Sequence, residues 1–242
     1  MYQQFQPHHS LQTYIDAYWT VEADCAVAET LLPDGCTDLI LNFGEEFYTD
    51  NGRLKMEHRK IYLVGTMTRY KNISRSPASK LTGIRFKPGA LPFFYNLPFM
   101  KAIANGTVEM DKGLSPSLDK TSRNLTDYLN RYFIDRLTVP KTTILPIIAD
   151  VYRLNGQIKI SELCKRHYMT DRQLERHFIA HLGVSPKAFI NFVRCIAVLE
   201  KIKENQDKEN LFHIAWNNGF YDHAHLANEV KKHTGLIPSQ IK

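Results

Sequence analysis

The chain has few cysteines and no long apolar run. The four cysteines (Cys25, Cys36, Cys164, Cys195) are scattered with no CxxC spacing, which excludes a zinc knuckle and a disulfide framework. No stretch of 18 apolar residues occurs, so no membrane span is expected. The opening MYQQFQPHHS lacks the basic-then-apolar pattern of a secretory leader, and cytoplasm is the expected compartment. There is no glycine-rich phosphate loop, no nucleophile elbow and no HExxH. His8 and His9 form a lone adjacent pair whose side chains diverge on most backbones. No cofactor or metal is expected, and an enzyme, with the first half catalysing and the second only targeting, finds no acid/base cluster to support it.

What is there is charge, unevenly spread. Residues 1–140 hold 16 Lys+Arg against 15 Asp+Glu, whereas residues 141–242 hold 15 against 10. Seven of the ten histidines also fall in the second part. A basic half beside a neutral half points to an anionic partner for one domain only.

The pattern of apolar residues also changes along the chain. Leu11, Tyr14, Ile15, Tyr18 and Trp19 follow helical spacing, which predicts an amphipathic helix over 11–19. From about 30 to 110, short apolar runs (39–43, 61–64, 81–86) alternate with Pro33-Asp34-Gly35, Asp50-Asn51-Gly52 and Lys87-Pro88-Gly89. These read as strands and turns of a small sandwich or barrel. Residues 115–137 read as a helix with one broad apolar face, either packed on the β domain or pairing two copies. Residues 137–141 read as a hinge, and Pro146 and the turn at 154–157 bracket a further helix.

The last 80-odd residues nearly repeat themselves. ISELCKRHYMTDRQLERHFIAHLGVSP at 160–186 is answered by LFHIAWNNGFYDHAHLANEVKKHTGLIP at 211–238. Leu163, Cys164, Met169 and Asp171 answer Ile214, Ala215, Phe220 and Asp222, all 51 apart. Leu174, Phe178, Gly183 and Pro186 answer Leu226, Val230, Gly235 and Pro238, all 52 apart. Local rules build each copy as a helix–turn–helix. Ser161 is expected to cap the first helix, and Thr170 with Gln173 forms a capping box that starts the second. Gly183 ends that helix, and Pro186 opens a long connecting helix to about 204. Asp222 caps the corresponding helix of the second copy. Leu174, Phe178, Leu226 and Val230 then face inward, and Arg172, Gln173, Glu175 and Arg176 outward. In the second copy His223, Ala224, His225, Ala227 and Asn228 face outward.

This arrangement, with the elements RQLERHF, GVSP, IAWNNGF and GLIPSQ in order, resembles the AraC/XylS family of transcription regulators over about 158–242. The resemblance implies an all-α DNA-binding domain whose two units enter adjacent major-groove segments of double-stranded DNA, roughly 34 Å apart. It places base contacts at Arg172, Glu175 and Arg176, and at His223, Ala224, Ala227 and Asn228 with His225 beside them. Arginine forks suit guanine N7 and O6, whereas Asn228 stands where an arginine is common and Val230 where a phenylalanine is common. The first unit is therefore expected to supply most of the specificity. The second is expected to supply phosphate contacts through Lys231, Lys232 and His233. Loss of DNA binding, leaving a protein-interaction module, is the alternative.

The resemblance also implies an N-terminal domain that binds a small-molecule effector, pairs two copies, or both. It implies contact with RNA polymerase, with activation the commoner outcome. LPDGCTDLILNFG and GIRFKPGA look like the sensor region of one subgroup. Trp19, Asp34, Asp38, Tyr70 and Arg85 are the candidate effector contacts, although Asp34 in Pro-Asp-Gly is most simply a turn residue. The expected fold is α+β in two domains. A β-rich sensor with flanking helices (1–140) precedes an all-α domain (141–242) of two helix–turn–helix units joined by a long helix.

Overall fold

A computed structural model describes residues 1–116, 124–139, 143–204, 211–220 and 222–240. Its first part is a sandwich of two antiparallel sheets, and its second is wholly helical.

The strands are β1 (Tyr2–Phe5), β2 (Ile15–Ala23), β3 (Val27–Leu31), β4 (Thr37–Asn42), β5 (Phe47–Thr49), β6 (Leu54–Met56), β7 (Ile61–Val64), β8 (Lys71–Arg75), β9 (Ser79–Phe86) and β10 (Thr107–Glu109). The larger sheet runs β1-β2-β9-β4-β7-β10, the smaller β3-β8-β5-β6. The larger sheet is covered on both faces, so its strands lack simple alternation. Its outer face buries Ile15, Tyr18, Leu39, Leu63, Ile84 and Phe86, whereas Trp19, Tyr62 and Leu81 point between the sheets toward Phe47 and Met56.

The helix expected over 11–19 is not formed. Leu11 ends a 3-10 turn, His9–Leu11, and Ile15–Ala23 is the strand β2, paired on one side with β1 and on the other with β9. A bulge between Ile15 and Ala17 resets the register, and apolar residues on both faces are buried. That combination imitates helical spacing while the chain is extended.

The helices are α1 (Met100–Ile103), α2 (Leu125–Arg136), α3 (Leu145–Arg153), α4 (Ile160–Arg166), α5 (Asp171–Leu182), α6 (Pro186–Glu204), α7 (Leu211–Asn217) and α8 (His223–Thr234). The helix expected over 115–137 is described from Leu125 as α2, and its Leu129 and Phe133 are fully buried in the core of the larger sheet. Phe133 meets Phe86 and Phe94 edge-on at 5.5 and 5.3 Å, so its apolar face is spent on the β domain. Leu118 and Thr121 of the expected face, and Pro140 and Lys141 of the expected hinge, lie outside the described residues. Among the described residues no single helix is long and apolar enough to cross a membrane.

α6 carries both helical cores. Its first half, Phe189, Phe192 and Val193, packs on Leu163, Leu174 and Phe178. Its second half, Cys195, Val198 and Leu199, packs on Ile214, Ala215, Leu226 and Val230.

Candidate DNA-reading face and effector cavity

The two helix–turn–helix units are built by the same local devices. Thr170 accepts from Gln173 N at 3.2 Å, and Gln173 Oε1 accepts from Thr170 N at 2.8 Å, closing the capping box that starts α5. Asp222 accepts from His225 N at 2.7 Å and starts α8. Gly183 and Gly235 end the two helices in the left-handed conformation, at φ 72 and 78°. Among the described residues, the turn before each helix also carries a left-handed residue, Tyr168 (φ 52°) in the first and Gly219 (φ 76°) in the second, again 51 apart. Ser161 does not cap α4. Lys159 holds that position without a side-chain bond, and the helix starts at Ile160, one residue before the serine.

On α5, Arg172, Glu175 and Arg176 are exposed on one face, and neither arginine has a carboxylate partner among the described residues. Gln173 is exposed but tied into the capping box. On α8, Ala224, Asn228, Lys231 and Lys232 are exposed and Ala227 is half-buried. Lys232 pairs with Glu229 at 3.0 Å. His225 is only half outward, with its ring 5.3 Å from Phe220, and the side chain of His223 lies outside the described residues.

His233 departs from the expectation of a phosphate contact. It is 2% exposed, because the C-terminal end of α8 docks on the β domain. Its Nδ1 donates to the Thr68 carbonyl, and Tyr70 N donates to the His233 carbonyl at 2.8 Å. The Tyr70 ring lies against Gly235, where a β-carbon would sit 2.8 Å from it. α5 docks similarly. A β-carbon on Gly183 would meet the Met100 carbonyl at 2.1 Å, and His181 lies 6.4 Å from Phe93. Desolvation lowers the pKa of both His181 and His233, which favours the neutral rings.

Between the two sheets lies a cavity of about 720 Å³. Four of the five candidate effector contacts, Trp19, Asp34, Asp38 and Arg85, line it together. Trp19 pairs across the sheet with Gly83 and lies on it, so close that a β-carbon there would be 2.0 Å from the indole. That placement lets Trp19 Nε1 donate to Asp38 Oδ1 at 2.8 Å. Arg85 Nε stands 3.3 Å from Asp38 and 3.5 Å from Asp34. Asp34 is also a turn residue, accepting from Cys36 N at 2.9 Å, so the two readings of it coexist. Burial pushes the Asp38 carboxyl up to about 6 against the pull of Arg85. Tyr70 lies outside this cavity, at the α8 contact.

Sequence reasoning missed Lys71, Arg75 and Glu29. Lys71 donates to Asp50 at 2.6 Å and Thr107 at 3.0 Å, buried beneath the cavity, and Arg75 pairs with Glu29 on its wall. Lys71 and Arg75 belong to β8, where Ile73 is the one apolar residue, and Glu29 to β3, whose apolar Val27, Ala28 and Leu31 do not alternate.

Two similar helix–turn–helix units sharing one connecting helix define a DNA-binding domain, here carried behind a β-sandwich. Residues 163–242 match the family described as a helix-turn-helix domain. Residues 3–109 match a domain of unknown function, DUF6597. The helical half is thus a helix–turn–helix domain, the kind of module that reads duplex DNA. Among solved structures the chain is similar to ToxT from Vibrio cholerae, with 10% identity, coverage of 99% of this chain and 97% of that one, and a TM-score of 0.46. A second ToxT structure, with an unsaturated fatty acid bound, matches at 12% identity, 92% coverage of each chain and a TM-score of 0.45. The AraC-like transcriptional activator CuxR matches at 10% identity over 83% of this chain and 85% of its own, with a TM-score of 0.33. No curated protein matches the chain.

Proposed function

We propose that this protein reads two adjacent major-groove segments through α5 and α8, and that a small molecule in the intersheet cavity adjusts that binding. The functional division falls near residue 140, with 1–140 sensing and 141–242 binding DNA. The observation that carries the reading is the face of α5. Arg172 and Arg176 are exposed there without carboxylate partners among the described residues, on the helix that a helix–turn–helix presents to the groove. An arginine fork against guanine is worth ~1–3 kcal/mol of discrimination. α8 is the poorer reader. Ala224 and Ala227 offer only methyl contacts, and Asn228 is its one exposed amide suited to adenine. Sequence choice therefore rests on α5, and α8 contributes mainly position and phosphate contacts through Lys231 and Lys232.

The effector reading rests on the cavity. It combines an apolar interior with a buried carboxylate and an arginine at one place, the usual composition of a small-molecule site. Two connections lead from it to the helices. Tyr152 of α3 donates to the Asp34 carbonyl at 3.5 Å, and Lys71 follows directly on Tyr70, which contacts α8. An occupant shifts DNA binding only to the extent that its affinity differs between docked and undocked arrangements.

Selection of bound duplexes from a random pool tests the DNA reading, using the intact protein beside an Arg172→Ala/Arg176→Ala variant. The expected outcome is a motif spanning two groove segments, with information lost from the α5 half in the variant. An unchanged motif overturns the assignment to α5. A folded wild type that enriches nothing, with or without cavity ligands, favours a protein-interaction role instead.

A further inference from the structure

A second cleft, of about 760 Å³, opens between the β domain and the outer side of α8. One wall carries Arg53, in the turn between β5 and β6, and Arg69, in the loop before β8. The other carries Asn228, Lys231 and Lys232. Among the described residues five cationic side chains line it, with Asp50 the sole acid. Lys71 is matched by Asp50 and Lys232 by Glu229. That leaves Arg53, Arg69 and Lys231, all exposed, without a carboxylate partner among the described residues.

Like charges on opposing walls repel, and a folded protein gains nothing by holding them there unless an anion enters between them. The walls are nonetheless fixed. Asn51 Oδ1 accepts from Asn72 N at 3.0 Å and pins the turn that precedes Arg53. Asn105 Oδ1 accepts from Thr68 N at 2.7 Å and from Arg69 N at 2.9 Å. Thr68 and Tyr70 both bond His233, so Arg69, between them, is held beside the turn of α8 that carries Lys231. The cleft is too large for a single phosphate ion, and it is continuous with the face of α8 that carries Asn228. An extended polyanion running alongside α8 fits it.

We propose that the cleft takes the DNA backbone flanking the groove entered by α8, with Arg53 and Arg69 of the β domain as phosphate contacts. The β domain then forms part of the DNA-binding surface in the docked arrangement. This rests on the DNA reading above and adds a surface that the helical half alone lacks.

Duplex binding by the full chain, measured against salt concentration, tests it. The wild type is compared with Arg53→Ala/Arg69→Ala and with the reversal Arg53→Glu/Arg69→Glu, each checked for an unchanged melting temperature. Each phosphate contact contributes about 0.9 to the slope of log affinity on log salt. The alanine pair should therefore flatten the slope by about 1.8 and weaken binding on the order of 50-fold at 0.1 M salt. The selected motif should not change, and the reversal should weaken binding further. Equal slopes overturn the proposal, and so does tighter binding by the variants, which would mean that the β domain shields α8. Titration with inorganic phosphate and tripolyphosphate, without DNA, gives the other arm. Binding there that the alanine pair abolishes, with the DNA slope unchanged, makes the cleft a site for free phosphate compounds and overturns the DNA assignment. A wild type that binds no duplex removes the parent reading, and this one with it.

Discussion

Asp38 is the residue at which burial and charge are most directly opposed. Its side chain is 13% exposed, and it faces Trp19 and Arg85 in a largely apolar cavity. With its pKa raised from 3.8 to about 6, the native protein binds the proton more tightly than the unfolded chain does. The stability contributed is fully present below pH 3.8 and is lost as pH rises through 6. Charged Asp38 thus weakens the fold at neutral pH, by an amount on the order of 3 kcal/mol at most. Asp38→Asn should accordingly leave the protein as stable or more stable at pH 7.5, and should flatten the dependence of urea stability between pH 4 and 6.5. Because Trp19 donates to this carboxylate, its fluorescence should titrate near pH 6 in the wild type and not in the variant. A loss of more than about 1 kcal/mol at pH 7.5 would instead make Asp38 a structural partner of Arg85.

Among the elements, the helical half was legible because its signals are local. Thr170 with Gln173, Asp222, Gly183 and Pro186 each act within one turn of where they stand, and each is found at its expected place. The β half was legible only where apolar runs were continuous, at β4, β7 and β9. β2 was misread because burial on both faces and a bulge produce near-helical spacing, β8 was missed because four of its five residues are polar, and β3 because its apolar residues do not alternate. The candidate site was legible to the same degree. The outward arginines of α5 follow from helix phase, whereas the burial of His233 depends on Thr68, 165 residues away. Such docking leaves one local trace in a glycine. Gly183 is needed twice, for its φ of 72° and for the approach of the Met100 carbonyl, whereas a helix-ending glycine on an open surface answers only the first need. Gly183→Ala should therefore cost more than the ~1 kcal/mol of a left-handed alanine. It should also separate α5 from α1, read as faster proteolysis between the halves at unchanged helical content. A loss of ~1 kcal/mol with proteolysis unchanged would mean that the contact adds nothing.

At the scale of the whole molecule, α5 and α8 are each fastened to the β domain by a histidine near the C-terminal end. His181 of α5 sits beside Phe93, and His233 of α8 bonds Thr68. Burial lowers both pKa values below 6.5, with His177 adding to the effect on His181 and Lys232 to that on His233. The His177 carbonyl, the Thr68 carbonyl and Glu229 oppose it without reversing the direction. A histidine depressed in the docked state contributes docking stability that is complete above pH 6.5 and lost as pH falls through its depressed value. Asp38 acts in the opposite sense over a neighbouring range, but within the β domain and away from either helix. Acidification from pH 7.5 to 5 should therefore loosen the docking of the helical half while both halves stay folded. In small-angle scattering the radius of gyration should rise on acidification, with the circular dichroism spectrum unchanged. In His181→Gln/His233→Gln, where a neutral amide replaces each ring, the radius should no longer depend on pH. A wild-type radius that stays constant over that range would mean that apolar contacts such as Tyr70 on Gly235 hold the halves together unaided. In that case an effector would have to act through the Asp34–Tyr152 connection rather than through the end of α8.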